Sequence, residues 1–151
     1  MTAKFVYVTY IRTTPQKLWD ALTKPEFIKQ YWFNMTQECE WKVGASWKML
    51  FADGRVADAG EVLEIDPTRR LVLRWRNEFR PELKAEGDAR CVYDLEQDGD
   101  VMKLTITHSS ERDDAKLIEA VSGGWPRILS SLKSLLETGK PMPASYNEQR
   151  T

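Results

Sequence analysis

The sequence predicts an α+β fold in which a curved antiparallel sheet of six to seven strands wraps around one long C-terminal helix. Three observations carry that prediction. From about residue 38 to 109, apolar and polar residues alternate with period two, as in strands buried on one face. After about residue 113 the period lengthens to 3.6 and holds to about residue 138. The only other helical signals are two short segments that follow the first strand.

Residues 5–11 are rich in β-branched and aromatic side chains and read as that first strand. Thr14 is a good N-cap and Pro15 a good first helical residue, because the proline lacks an N–H that would go unbonded there anyway. Leu18, Trp19 and Leu22 then lie at helical spacing over residues 15–23. Lys24-Pro25 ends this helix, and Pro25 opens a second one carrying Phe27, Ile28 and Tyr31. In the sheet region, Trp47, Met49 and Phe51 alternate with Lys48 and Leu50 before a turn at Asp53-Gly54. Residues 60–65 form the next strand, ended by Asp66-Pro67. Leu71, Leu73 and Trp75 mark another, and Cys91, Tyr93 and Leu95 one more, closed by a turn at Asp98-Gly99. Leu104, Ile106 and His108 share the inward face of the last strand. Residues 78–89 are polar, contain Pro81 and Gly87, and read as a long mobile loop.

The final helix carries Leu117, Val121, Trp125, Ile128, Leu132 and Leu135 in one stripe, with Asp113 and Asp114 expected at its positive end. Gly139 and Pro141 stop it. Pro126 within the stripe predicts a kink beside Gly123-Gly124. The expected organisation is one domain over residues 1–140 and a loose tail over 141–151.

Composition narrows the functional classes. Hydrophobic residues make up 42% of the 151, aromatics 11%, and there are six tryptophans, enough for a substantial core. Charged residues reach 30%, yet the net charge is −1 and no basic block stands out. A nucleic-acid partner is therefore not expected. No apolar run approaches the ~20 residues that span a bilayer, and no leader pattern is read, so the expected compartment is the cytoplasm. Cys39 and Cys91 lack metal-ligand or framework spacing and are expected to be free thiols. One histidine and no recognisable metal or phosphate motif leave no metal or cofactor to predict.

Several segments in register resemble one family. They are the stretch from Thr14-Pro15 to Leu22-Thr23, Tyr31-Trp32, Val43-Gly44 before Trp47, Asp53-Gly54, and Gly60-Glu61-Val62-Leu63-Glu64-Ile65-Asp66-Pro67. Leu71 to Trp75, Leu104-Thr105-Ile106-Thr107-His108 and Gly123-Gly124-Trp125 complete the set. Together they resemble the helix-grip fold of the START and birch-pollen-allergen superfamily (SRPBCC). Within it the chain is similar to homologues of the activator of the heat-shock-protein-ninety ATPase, of the bacterial single-domain type. The resemblance implies either a chaperone contact or the cavity in which the wider superfamily holds apolar or aromatic molecules. Some superfamily members cyclise polyketides.

The residues themselves favour binding over catalysis. Trp32, Trp47, Trp75 and Trp125, with Tyr7, Phe51 and Tyr93, are expected to point between sheet and helix. They form either a solid core or the wall of a cavity; seven large rings seldom pack without gaps, and buried indole and phenol groups need partners. His108 completes the candidate ligand-binding set. It reads either as a general acid or base at the cavity or as a hydrogen-bonded histidine at the core's edge, and no nearby motif supplies an orienting carboxylate. The expectation is a binding module for a small hydrophobic or aromatic molecule. The alternatives are a chaperone-activating interaction domain and a cyclase- or hydrolase-like enzyme using His108.

Overall fold

Burial alternates with exposure along Ala3–Ile11 (β1), and Thr14 then starts the first helix as the sequence suggests. Its hydroxyl accepts from the Lys17 N–H at 3.2 Å, and Pro15 occupies the first turn of Pro15–Thr23 (α1). Pro25–Tyr31 (α2) follows directly. The sheet continues through Thr36–Cys39 (β2), Ser46–Leu50 (β3), Val56–Asp66 (β4) and Arg70–Asn77 (β5). A short helix, Pro81–Lys84 (α3), precedes Ala89–Asp98 (β6), Val101–Ser110 (β7) and the long helix Lys116–Thr138 (α4). These elements come from a computed structural model that describes residues 3–143. The expected loose tail lies mostly outside them.

All seven strands form one antiparallel sheet, ordered β1-β7-β6-β5-β4-β3-β2. Six strands run as a meander, and β1 joins the far side of β7. Register shifts opposite Met49/Leu50 and between Val62 and Glu64 leave Ala57 and Leu63 as extra residues, both in β4. Such bulges increase local twist and bend the sheet. Gly60 marks the tightest approach: a Cβ there would lie 1.6 Å from the Arg74 carbonyl oxygen. Gly60 also stands in register between Trp47 and Trp75, whose rings meet across it at 4.5 Å. Without a side chain at 60, two indoles on strands two apart become neighbours.

Helix α4 buries Leu117, Ile118, Trp125, Ile128, Leu129, Leu132 and Leu135. Gly139, at φ 83°, ends it in the left-handed conformation, and its N–H bonds the Leu135 carbonyl at 2.8 Å. Pro126 is accommodated inside a helix that runs unbroken from 116 to 138. Its last turns are fastened to the end of β1: Lys133 donates to the Tyr10 carbonyl, and Glu137 accepts from the Arg12 N–H at 2.8 Å.

The segment expected to be a mobile loop is structured instead. Leu83 of α3 is buried, and Asn77 Oδ1 accepts from the Arg80 N–H at 2.9 Å. Glu86 then caps α4 with both carboxylate oxygens, accepting from the N–H groups of Lys116 (2.8 Å) and Leu117 (3.2 Å). Asp113 and Asp114, expected at the helix start, precede its first turn, so the stabilising negative charge arrives from a distant segment. Four helical residues surrounded by polar ones carry too little local signal to be read without that tertiary contact. Both cysteines are free, and no helix among the described residues is long and apolar enough to cross a membrane.

Leu132 is fully buried, so Leu132→Ala should cost about 2–5 kcal/mol in urea denaturation. Gly60→Ala should cost about 1–3 kcal/mol or more, because β4 and β5 must separate to admit the methyl group. A loss below about half a kcal/mol at either site would contradict the packing described.

Candidate functional site

A cavity of about 530 Å³ lies where the N-terminal half of α4 stands over the β4–β5 part of the sheet. Helix α4 supplies Leu117, Val121, Trp125 and Ile128 to one wall. The sheet supplies Ala57, Asp58, Trp75 and Asn77 as the floor. Phe79, Arg80 and Leu83 close it from the α3 segment, and Trp32, Met35 and Phe51 from the opposite side. Phe79 packs edge-on against Phe51 at 5.0 Å and is itself exposed, which places this ring pair at the rim.

Of the eight residues singled out in the sequence, Trp32, Phe51, Trp75 and Trp125 line this cavity. Trp125 is central, meeting Trp32 at 5.4 Å and Trp75 at 5.9 Å, both edge-to-face. The other four do not line it. Trp47 is fully buried behind Trp75, and Tyr93 stands against the far side of Trp125 at 5.8 Å. Tyr7 is half-buried and stacked on Phe5 at the β1 edge. His108 lies in the core beneath Trp75 and Trp125. All four point to the sheet's inner face as period two requires. Strand position alone does not say which part of that face the helix covers closely.

Buried indoles need acceptors, and each of three finds one. Trp47 donates to Gln37 Oε1 at 2.9 Å, and Gln37 passes its own amide N–H to the Leu22 carbonyl at 2.6 Å. Trp125 donates to His108 Nδ1 at 3.1 Å. Accepting through Nδ1 makes the ring neutral with its proton on Nε2, and burial lowers the His108 pKa to about 3. Its Nε2 and the Tyr31 hydroxyl are buried without a partner among the described residues. A histidine held neutral, sealed from the cavity by an indole, is a structural support for Trp125. It gives no footing to the reading of His108 as a general acid or base.

Trp75 donates to Asp58 Oδ1 at 3.0 Å, and Asn77 approaches the same oxygen at 3.5 Å. Asp58 was missed in the sequence because β4 begins at Val56, four residues before the strand expected there. The usable signal is phase: Asp58 stands two residues from Gly60 and four from Val62, on the inward side. Burial raises its pKa to about 7, opposed by the Trp75 N–H and reinforced by the nearby Glu78 carboxylate. Glu78 itself is held ionised, despite burial, by Arg76 at 2.5 Å and Lys84 at 3.3 Å. Asp58 is thus the one acid lining a mostly apolar cavity. No three His, Cys, Asp or Glu side chains among the described residues are grouped to hold a metal ion.

A carboxyl whose folded pKa lies above its unfolded value loses stabilising protonation as pH rises between the two. Asp58→Asn should therefore match the wild type near pH ~4 and be more stable by up to about 4 kcal/mol near pH ~8, measured by urea denaturation across that range. Equal stability at both ends would mean that the carboxyl is not desolvated.

Comparison with known proteins follows the same geometry. No curated protein matches the chain significantly. Protein MLL2253 from Mesorhizobium loti superposes with a TM-score of 0.75 at 24% identity, covering 89% of this chain and 96% of that one. DynU16, described as a protein in the dynemicin biosynthetic locus, gives 0.73 at 22% identity over 91% of this chain. The overlap is 48% of DynU16, so this chain spans about half of its length. The solution structure of the Aha1 dimer from Colwellia psychrerythraea gives 0.72 at 21%, covering 91% and 98%. These likenesses show the helix-grip fold. The family described as Activator of Hsp90 ATPase homolog 1-like protein matches residues 12–137, and this chain belongs to it.

Proposed function

We propose that the domain binds a small hydrophobic or aromatic molecule in the cavity beneath α4. The observation that supports this is the cavity's composition: about 530 Å³, walled by indoles, phenyl rings and aliphatic side chains, with few polar groups. Concave, largely apolar sites with a small number of placed polar atoms are what small-molecule recognition requires. The likeness to a protein of the dynemicin biosynthetic locus adds support. An apolar ligand entering here would change tryptophan emission, because Trp32, Trp75 and Trp125 form the wall.

A second reading rests on a different observation. Val6, Val8 and Tyr10 are exposed along the outer face of β1, and the family's description names an activator of a chaperone ATPase. Contact with such a chaperone would use this face and leave the cavity uninvolved.

The experiment is a fluorescence and calorimetric titration with alkyl and phenylalkyl probes on wild type and Val121→Trp. Val121 is half-buried on the cavity wall, so an indole there fills the space without entering the core. Wild type should bind at sub-millimolar Kd, and Val121→Trp should weaken binding at least about tenfold. Failure of every probe to bind wild type would remove the ligand reading. Loss of chaperone ATPase stimulation in Val8→Asp, with unchanged probe binding, would support the second.

A further inference from the structure

The cavity's polar atoms are arranged asymmetrically. Among the described residues Asp58 is its only acid, and it sits on the floor rather than at the rim. Its Oδ1 is engaged by Trp75 and Asn77, while Oδ2 receives no hydrogen bond from a described residue. The walls around that oxygen are aromatic, formed by Trp75, Trp125 and Trp32, with Phe51 and Phe79 further out. The one base, Arg80, is on the α3 side and directs its guanidinium to Glu82 at 3.0 Å. Positive charge is therefore paired near the solvent, and negative charge stands alone inside.

Three kinds of ligand end meet this arrangement differently. A carboxylate is repelled by Asp58 and by Glu78 behind it. A neutral group forces Asp58 either to keep its proton or to remain a desolvated anion. An ammonium supplies the missing countercharge, and its hydrogens lie against the negative faces of the surrounding rings. That attraction is stronger where water is excluded, as at a buried floor.

We propose that the cavity takes an organic cation: an amine with an aromatic or branched aliphatic body, its N–H groups paired with Oδ2 of Asp58 and its apolar part against the indoles. This rests on the ligand-binding reading above and names the class of ligand within it. The raised pKa of Asp58 agrees with an acid whose natural partner is absent from the chain itself. Its surroundings are accounted for element by element. Met49 of β3 and Asn77 of β5 flank it in register, and Tyr93 of β6 lies within electrostatic range. Glu78 carries Arg76 and Lys84 as its own counterions. Helix α4 and the residues from Trp32 to Met35 bring no charged side chain to the lining.

The test uses phenylbutylamine, phenylbutanol and phenylbutyrate, which share one body and differ at one end. Calorimetry on wild type at about pH 8 should give the amine roughly tenfold or more over the alcohol, with the carboxylate weakest. Towards about pH 5.5 the amine's advantage should fall roughly tenfold, as Asp58 takes up a proton, while the alcohol's affinity stays level. Asp58→Asn should abolish both the amine's preference over the alcohol and its pH dependence. If that variant fails to fold, the pH dependence in wild type decides the question. Equal binding of amine and alcohol at about pH 8, or a preference that does not change with pH, overturns the proposal and leaves the ligand reading standing. If none of the probes binds, both fall.

Discussion

A helix about 10 Å across cannot alone cover seven strands set about 4.8 Å apart. That mismatch of widths governs the rest of the structure. The sheet answers it by bending, through two irregularities in β4 and the close strand approach at Gly60. The C-terminal half of α4 lies against β1 and is fastened there by Lys133 and Glu137. Over the β4–β5 side the remaining inner face is covered only in part, by α2 and the α3 segment. The space left between these covers is the cavity. A wider cover would have produced a solid core from the same strands.

Polar groups had to be placed in this interior, and their placement separates two kinds of buried site. In Trp47 with Gln37, and in Trp125 with His108, a neutral donor meets a neutral acceptor, with only the His108 Nε2 left over among the described residues. Such pairs orient rings and exclude alternatives at little electrostatic cost. Asp58 is different, because one of its oxygens remains uncommitted and its charged form is disfavoured by burial. Desolvating a carboxyl without a counterion opposes folding. A group that costs stability and faces a cavity fits recognition better than architecture.

The sequence revealed most of the fold but only four of the cavity's lining residues as a site, for reasons visible in particular residues. Thr14-Pro15, the stripe on α4 and the turns at Asp53-Gly54 and Asp98-Gly99 are local signals, sufficient wherever the chain places them. The indoles at 47, 75 and 125 were assigned correctly to the interior by phase. Phase does not distinguish a ring facing a void from one facing another ring, so Trp47 and Tyr93 were grouped with Trp75. The α3 segment reads as a loop in the sequence because Glu86 acts through partners thirty and thirty-one positions away, on α4. Asp58 escaped notice because an acid flanked by alanines resembles a turn when the strand is begun too late.

The Glu86 carboxylate joins two parts with different roles, since α3 closes the cavity and the start of α4 forms the adjoining wall. Swinging the α3 segment outward would strip two backbone N–H groups of their acceptor, each worth about a kcal/mol. The cavity wall is therefore latched to a helix terminus. Any displacement of α3 away from the helix would first have to break these two bonds. One carboxylate thus ties a segment that borders the cavity to the terminus of the helix that roofs it.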